Sequence, residues 1–302
     1  MSIATCLVLA LLLDAALGEP RWLWDRVPHP VVLMGRVLSA LETRLNTGQA
    51  RRAKGVVVML VLAFGAVMVG ALLASLGGLV TVCAAAVLLS HRALVDHVAA
   101  VADALLLSVG DGRATVAMIV GRDTKDMARA DVARAAIESA AENFSDGVIA
   151  PAFWFAVAGL PGLVLYKMVN TADSMIGHRT PRYAAFGWAA ARADDVLNIV
   201  PARLTAALFW ALTRPRPEWA AIKRDARLHR SPNAGWPEAA MARAVNVALS
   251  GPRSYHGQRE DHPFVHPTGV HDIGPDHIRA AVRVLWQAWA VMLAVACLVA
   301  VI

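Results

Sequence analysis

Five stretches of the chain are apolar with few or no charges: Gly55 to Ala74, Leu79 to about Val98, Val148 to Leu165, Val196 to Leu212 and Leu285 to Ile302. Runs of roughly 20 apolar residues match the hydrocarbon thickness of a bilayer, and the absence of a polar stripe along them predicts membrane helices rather than amphipathic surface helices. A shorter run, Ile3 to Leu13, is marginal in length; no Lys or Arg precedes it and Asp14 follows directly, which argues against a cleaved leader. The pattern therefore predicts an all-α, polytopic integral membrane protein with about five to six membrane helices. Gly77 and Gly78 supply a tight connection that makes the spans on either side a helical hairpin. Between Val148 and Arg182 the apolar run is interrupted by Gly159-Leu-Pro-Gly162, after which Lys167, Asn170 and Asp173 appear. Either the segment crosses fully, placing those polar residues outside, or it is a re-entrant hairpin broken at Pro161 that returns them to the cytoplasmic side.

Composition agrees with this class. Of 302 residues, 57% are hydrophobic and 17% charged, and the mean hydropathy is +0.51, outside the range of ordinary soluble domains. The net charge of +6 is informative through its placement. Between Gly18 and Lys54, Arg21, Arg26, Arg36, Arg44, Arg51, Arg52 and Lys54 face only Glu19, Asp25 and Glu42, so this segment is expected on the cytoplasmic side of the cell membrane. Arg214, Arg216, Lys223, Arg224, Arg227 and Arg230 place a second segment there. An N-terminus outside, with about Ala99 to Asp146 inside, satisfies both. Residues 1–302 read as a single membrane-embedded domain with a mostly aqueous polar lobe at about 214–283, containing one helix around Trp236 to Leu249. No nucleic-acid motif accompanies the basic loops. Cys6, Cys83 and Cys297 lie in apolar runs without metal-like spacing and read as small buried hydrophobes.

Against this background three polar clusters stand out, because even lenient insertion scales put a charge near the bilayer centre at about 2.5–3.5 kcal/mol. Glu138, Glu142 and Asp146 follow i, i+4, i+8 spacing with Asn143 among them, a stripe able to hold Mg²⁺ or supply a base, or simply a solvated helix face. Lys167, Asn170, Asp173 and Ser174 recur at helical spacing; oxygen ligands suit Mg²⁺ and a cation suits phosphate, while an internal Lys–Asp pair is the plainer alternative. Asp194, Asp195 and Asn198 share a face near Arg192 and Arg203, and adjacent carboxylates imply a metal or an arginine partner. Upstream, Arg122-Asp123-Thr124 is a weak phosphate-binding candidate, and His29 in a Pro-rich turn is a proton carrier or a structural residue. His256, His262, His266, His271 and His277 match no zinc spacing and read as exposed loop histidines. Neither GxxxxGK[ST] nor GxGxxG occurs.

The run Glu138-Ser-Ala-Ala-Glu-Asn-Phe-Ser-Asp-Gly-Val-Ile-Ala-Pro151, then Tyr166-Lys-Met-Val-Asn-Thr-Ala-Asp-Ser-Met-Ile-Gly177 and Ala191-Arg-Ala-Asp-Asp195 through Pro201-Ala-Arg203, resembles the CobD/CbiB family of cobalamin biosynthesis. So do Gly18-Glu-Pro20, Pro28-His-Pro-Val31, Gly35-Arg36, Val120-Gly-Arg-Asp-Thr124 and Ser231-Pro-Asn233 with Trp236 and Glu238. The resemblance covers residues 14 to about 257. Glu19 stands where the family commonly has Asp and His178 where it commonly has Tyr, and the lobe after Gly257 matches no family pattern.

The resemblance implies adenosylcobinamide-phosphate synthase activity: a membrane enzyme joining the free propionate of adenosylcobyric acid to (R)-1-amino-2-propanol or its O-phosphate, with ATP consumed and Mg²⁺ required. On that expectation Glu142, Asp146 and Asp173 are the candidate catalytic carboxylates, with Glu142 as base. Asp173, Asp194 and Asp195 would hold Mg²⁺. Arg122, Asp123, Lys167 and Arg203 would serve the phosphates, and Asn143, Asn170 and Asn233 would hydrogen-bond substrate. Expected partners are the corrinoid, the aminopropanol, lipid and either other cobalamin-pathway enzymes or a second copy of the chain. Two rival readings are a Mg²⁺-dependent membrane prenyl- or alcohol-phosphate transferase, suggested by Asn170-x-x-Asp173 and Asp194-Asp195, and a non-catalytic corrinoid-binding or transport protein. The first lacks the Asp-Gly-x-x-Ala-Arg continuation after Asp146-Gly147, and the second lacks an inverted repeat in the hydropathy.

Overall fold

The computed structural model describes residues 1–255 and 258–301; His256 lies outside them. Helices follow in the order α1 Ile3–Leu17, α2 Arg21–Trp24, α3 Pro30–Leu45, α4 Arg51–Ser75, α5 Gly78–Leu88, α6 His91–Leu107, α7 Val109–Val116 and α8 Arg129–Phe144. A π-helical turn, Ser145–Ile149, leads into α9 Ala150–Ile176, then α10 Trp188–Leu197, α11 Ile199–Leu212, α12 Trp219–Ala226 and α13 Gly235–Ala244. Four short strands, β1 Leu249–Ser250, β2 Arg253–Tyr255, β3 Gln258–Glu260 and β4 Phe264–Val265, precede α14 Pro275–Val301. Among the described residues four helical segments are long and apolar enough to cross a membrane, and α10 with α11, bent by 44°, makes up to five; α1 is apolar but shorter. The protein is all-α and multi-pass, as its hydropathy pattern predicts.

Backbone contacts divide the chain into two compact units, the first comprising Met1–Ser90, Asp146–Ile199 and Leu293–Ile302, the second His91–Ser145 and Val200–Met292. In the first, α9 packs against α1, α3, α4, α5 and α10. Small residues permit the approach of α4: a Cβ on Gly70 would lie 2.5 Å from Pro161 Cα, and one on Gly55 would lie 2.0 Å from the Phe186 carbonyl oxygen. The apolar run of α9 does not cross as one rod. Ala158 (φ −135°, ψ 19°) and Gly159 (φ 61°, ψ −155°) leave the helical region, the latter with a positive φ that glycine tolerates. The chain reverses there. A Cβ on Gly162 would sit 2.4 Å from the Trp154 carbonyl oxygen, and the Tyr166 hydroxyl reaches the Asp146 carbonyl oxygen at 3.1 Å. In a straight helix those last two residues would be about 30 Å apart. The segment is thus a broken hairpin, its reversal just upstream of Pro161.

The end of this hairpin is tied to the α3–α4 connection. Arg182 donates from Nε and Nη2 to the two oxygens of buried Glu42 at 3.0 and 2.8 Å. Asn46 donates to Glu42 at 2.8 Å and receives Arg51 Nε at 2.8 Å. Arg51 also reaches the carbonyls of Pro181 and Arg182. The hydrogen bonds from Arg182 hold the Glu42 carboxyl below its ordinary value. A depressed acid contributes stability that is present above its unfolded pKa and lost as pH falls through the folded one. We therefore expect the 177–187 loop to loosen on acidification, read as faster proteolysis there, and Glu42→Gln to show that cleavage already at neutral pH.

In the second unit α8 packs on α6, α7, α13 and β1, and α12 on α13. Phe144 stacks on Phe209 at 5.6 Å, and His91 sits among Phe144, Trp286 and Trp289. The helix expected around Trp236 to Leu249 is shorter, ending at Ala244, because Asn246 adopts φ 53° and turns the chain into β1. β1 pairs with β4 and β2 with β3, both antiparallel. Buried Arg134 fixes this segment to α8 by donating to the carbonyls of Ala248 and His271 at 3.0 and 3.2 Å. The described histidines of the segment take local roles: His262 meets Glu260 at 3.0 Å, His266 Nε2 meets Asn246 at 3.1 Å, His271 meets the Pro267 carbonyl at 2.9 Å, and His277 Nδ1 accepts from Gly274 N.

Candidate functional site

The candidate residues fall into two sets. Asp146, Lys167, Asn170, Asp173, Asp194 and Asp195 belong to the first unit; Arg122, Asp123, Glu142, Asn143, Arg203 and Asn233 belong to the second.

In the first unit the hairpin folds Asp146 back beside the second arm of α9. That arm carries Tyr166, Lys167, Asn170 and Asp173, three or four residues apart, and α10 brings Asp194 against it. Asp194 is buried and accepts two amide hydrogen bonds, from Asn170 Nδ2 at 3.2 Å and from Asn198 Nδ2 at 3.0 Å. Asn198, only 1% exposed, accepts in turn from the Tyr166 hydroxyl at 3.0 Å. The carboxylates of Asp146, Asp194 and Asp173 all lie within electrostatic range of that phenol, and Asp146 and Glu19 act on the Lys167 ammonium. Asp195 pairs with Arg192 at 3.1 Å. The two adjacent carboxylates thus meet different partners, amides for Asp194 and the expected arginine for Asp195.

Among the described residues no three His, Cys, Asp or Glu side chains gather into a ready-made metal set. Mg²⁺ keeps most of its waters and is commonly held by one or two carboxylates plus substrate phosphate. Asp194 and Asp173, with the amide oxygens of Asn170 and Asn198 nearby, supply hard oxygen donors of that kind. The carboxylate of Asp173 is seated by Gly177, where a Cβ would fall 1.9 Å from Asp173 Oδ1 and 2.7 Å from its carbonyl oxygen. If Asp173 has the catalytic role proposed below, Gly177→Ala should therefore displace its carboxylate and lower kcat by about 100-fold, since a misplacement of roughly 1 Å has that effect. Turnover assays with and without raised Mg²⁺ check this.

The second unit is organised around Glu138, which is 3% exposed. Arg122 Nη2 lies 2.5 Å from Glu138 Oε2, Arg253 Nη1 lies 3.7 Å from the same oxygen, and Ser250 N donates to Oε1 at 2.6 Å. Glu142 and Asp123 are exposed, so Glu138 and Glu142 do not form a uniformly solvated stripe. Asn143 donates to the carbonyl and hydroxyl oxygens of Ser139, each at 2.9 Å. Arg203 donates to Asn233 Oδ1 at 2.8 Å and lies over the Trp236 ring at 4.9 Å. Ser231 Oγ accepts from the amides of Asn233 and Ala234, which turns the Ser231-Pro-Asn233 motif into α13. Glu238 of α13 is 2% exposed, and burial, together with Glu138 and Glu142, raises its carboxyl well above the usual range. His229 Nε2 lies 3.6 Å from Glu238 Oε1. Burial and then Arg253 lower the His229 pKa below its ordinary value.

The sequence pattern missed Tyr166, His229 and Arg253 as polar partners and gave Glu238 no role. Only their membership in or near the quoted motifs marked Tyr166 and Glu238; Arg253 meets Glu138 from far along the chain, where no local spacing signals it.

A scan against family models matches residues 7–285 to the CobD/Cbib protein family. The chain belongs to the CobD/CbiB family of cobalamin biosynthesis. Among curated relatives, a Rhizobium meliloti protein named cobalamin biosynthesis protein CobD is 50% identical, with 95% of this chain and 93% of the relative aligned. Relatives of the same name from a Sinorhizobium species and from Rhodobacter capsulatus are each 47% identical, the first with 96% of both chains aligned and the second with 100% of this chain and 99% of its own. No solved structure matches. Asp194 with its amides and Glu138 with its arginines are thus two of the buried polar centres, among the described residues, of a CobD/CbiB chain.

Proposed function

We propose that this protein is an ATP-dependent amide ligase that joins the free propionate of adenosylcobyric acid to (R)-1-amino-2-propanol or its O-phosphate, giving adenosylcobinamide or its phosphate. The observation that supports this best is the placement of the family's motif residues. Residues scattered from Arg122 to Glu238 make two buried polar centres, at a cost that chemistry justifies better than stability does.

Carboxylate and ammonium do not condense unaided in water. A propionate oxygen attacks the terminal phosphorus of ATP and ADP departs; the amine nitrogen then attacks the acyl carbon, phosphate departs with the transferred oxygen, and the nitrogen loses its proton to a base. Lys167 and Arg203 supply cations for phosphate oxygens, and Arg122 does so from its seat on Glu138. Asp173 and Asp194 would hold Mg²⁺ directly and Asp195 through water; when bound, the ion neutralises phosphate charge. Asp146 keeps a counter-charge beside Lys167. Exposed Glu142 accepts the amine proton, while Asn143, Asn170 and Asn233 offer amide hydrogen bonds to substrate and Asp123 accompanies Arg122.

The site would face the cytoplasm from a multi-pass position in the cell membrane, with the α9 hairpin re-entering on that side. A cysteine replacing exposed Thr180 should be labelled only from the cytoplasmic side; labelling from outside would reverse the orientation. The function itself is tested with detergent-purified protein supplied with cobyric acid, ATP, Mg²⁺ and aminopropanol phosphate. ADP and cobinamide phosphate should appear together, each dependent on both co-substrates. Corrinoid binding without nucleotide turnover would refute the ligase.

A further inference from the structure

Glu238 poses a problem that the ligase roles above leave unsolved. It is 2% exposed, its Oε2 has no hydrogen-bond partner among the described residues, and its Oε1 is 3.6 Å from His229 Nε2. The arginines of this centre, Arg122 and Arg253, are already engaged by Glu138, which also takes the Ser250 amide. An ionised Glu238 would be a buried charge facing Glu138 and Glu142, an arrangement that proteins avoid. As a neutral acid it carries an O–H, and a buried O–H without an acceptor is a rare defect that calls for an explanation. The tautomer of His229 completes the picture. Its Nδ1 accepts from Ser231 N at 3.0 Å, so in the neutral ring the proton is on Nε2, the atom facing Glu238. Glu238 Oε1 is thereby turned toward a donor, which leaves Oε2 as the atom that bears the acid's proton.

We infer that Glu238, His229, Arg122 and Arg253 form a binding site for an anionic oxygen, phosphate or carboxylate, in which Glu238 donates a hydrogen bond from Oε2. A phosphate or carboxylate oxygen is the acceptor this O–H lacks, and the guanidinium groups beside Glu138 supply the positive field that draws it in. The division of labour is physical: Glu138, with two hydrogen-bond donors and the Arg253 guanidinium at 3.7 Å, carries charge, while Glu238, with no donor at Oε2, carries a proton. Such a split between neighbouring carboxyl groups marks acid and base roles in polar sites. The groups facing Glu238 are Glu138 and Glu142 from α8, Arg122 from the loop before α8, Arg253 from β2 and His229; behind His229 stand His262 and Arg230. The inference rests on the ligase reading only for which anions are natural.

Two readouts test it on the full-length protein in detergent. Infrared difference spectra should show a protonated-carboxyl C=O band that disappears in Glu238→Gln, moves in His229→Gln and shifts in the wild type when the anion binds. Affinity for ATP, aminopropanol phosphate and cobyric acid, measured separately, should identify which phosphate or carboxylate is held. For that anion, binding should weaken as pH rises and Glu238→Leu should weaken it by about tenfold or more, the effect of losing one hydrogen bond to a charged group. Glu238→Gln should flatten the pH dependence. A band that persists in Glu238→Gln, or wild-type affinity for all three anions in Glu238→Leu, would overturn the site. If the anion binds as stated but no ADP forms, the ligase reading fails and the site stands; if ligation proceeds and Glu238→Leu binds normally, the reverse holds.

Discussion

Glu138→Gln should destabilise the protein by about 3–5 kcal/mol, the effect of removing one partner from a buried ion pair. The side chains of Glu138, Arg122 and Arg253 are only 4%, 10% and 12% exposed, so neither guanidinium can recover its lost partner by turning into water. The glutamine would keep the hydrogen bond from Ser250 N, and the result would therefore report the loss of the charged acceptor that faces Arg122. Arg122→Ala should cost less, because Arg253 and the Ser250 amide continue to hold the carboxylate. Unfolding of the purified variants in detergent, followed by a structural probe and by loss of ligation, gives both numbers. Equal stability of wild type and Glu138→Gln would mean that the pair is not the hub of its unit.

Asp194→Asn should cost about 1–3 kcal/mol of stability, as an unsatisfied buried donor does, and lower turnover by at least about 100-fold, as loss of a preorganised electrostatic group does. In the wild type the carboxylate faces two amide donors, from Asn170 and Asn198; an asparagine there can accept from one of them but sets its own NH2 against the other, and it would bring no charge to the proposed metal. Asp195→Asn makes the useful contrast. Its partner is the half-exposed Arg192 at i−3, a pair of a kind that contributes little to stability. The variant should raise the Mg²⁺ concentration needed for turnover and reduce kcat less than Asp194→Asn. Wild-type kcat in Asp194→Asn, across a Mg²⁺ series, would remove this centre from the chemistry.

The membrane helices were legible because hydropathy is a local property summed over about 20 residues, and the candidate clusters were legible because Lys167, Asn170 and Asp173 repeat at helical spacing in an apolar context. The interruption at Gly159 to Gly162 announced a break, although only the positive φ of Gly159 and the contact of Tyr166 with Asp146 show that the chain reverses. Local pattern could not reveal what joins Glu138 to the amide of Ser250, 112 residues away. Nor could it find strands of two or three residues, which are too short for alternation to register. The partners of the two adjacent aspartates were half legible: an arginine near Asp195 follows from i, i+3 spacing, but the amides around Asp194 depend on how α10 meets the second arm of α9.

The proposed ligation would move one oxygen from the corrinoid carboxylate to the phosphate released from ATP. With cobyric acid carrying heavy oxygen in the reacting propionate, mass spectrometry of the products should find one labelled oxygen in inorganic phosphate, one retained in the new amide and none in ADP. Unlabelled phosphate formed alongside the amide, or amide formed without ATP cleavage, would contradict the account.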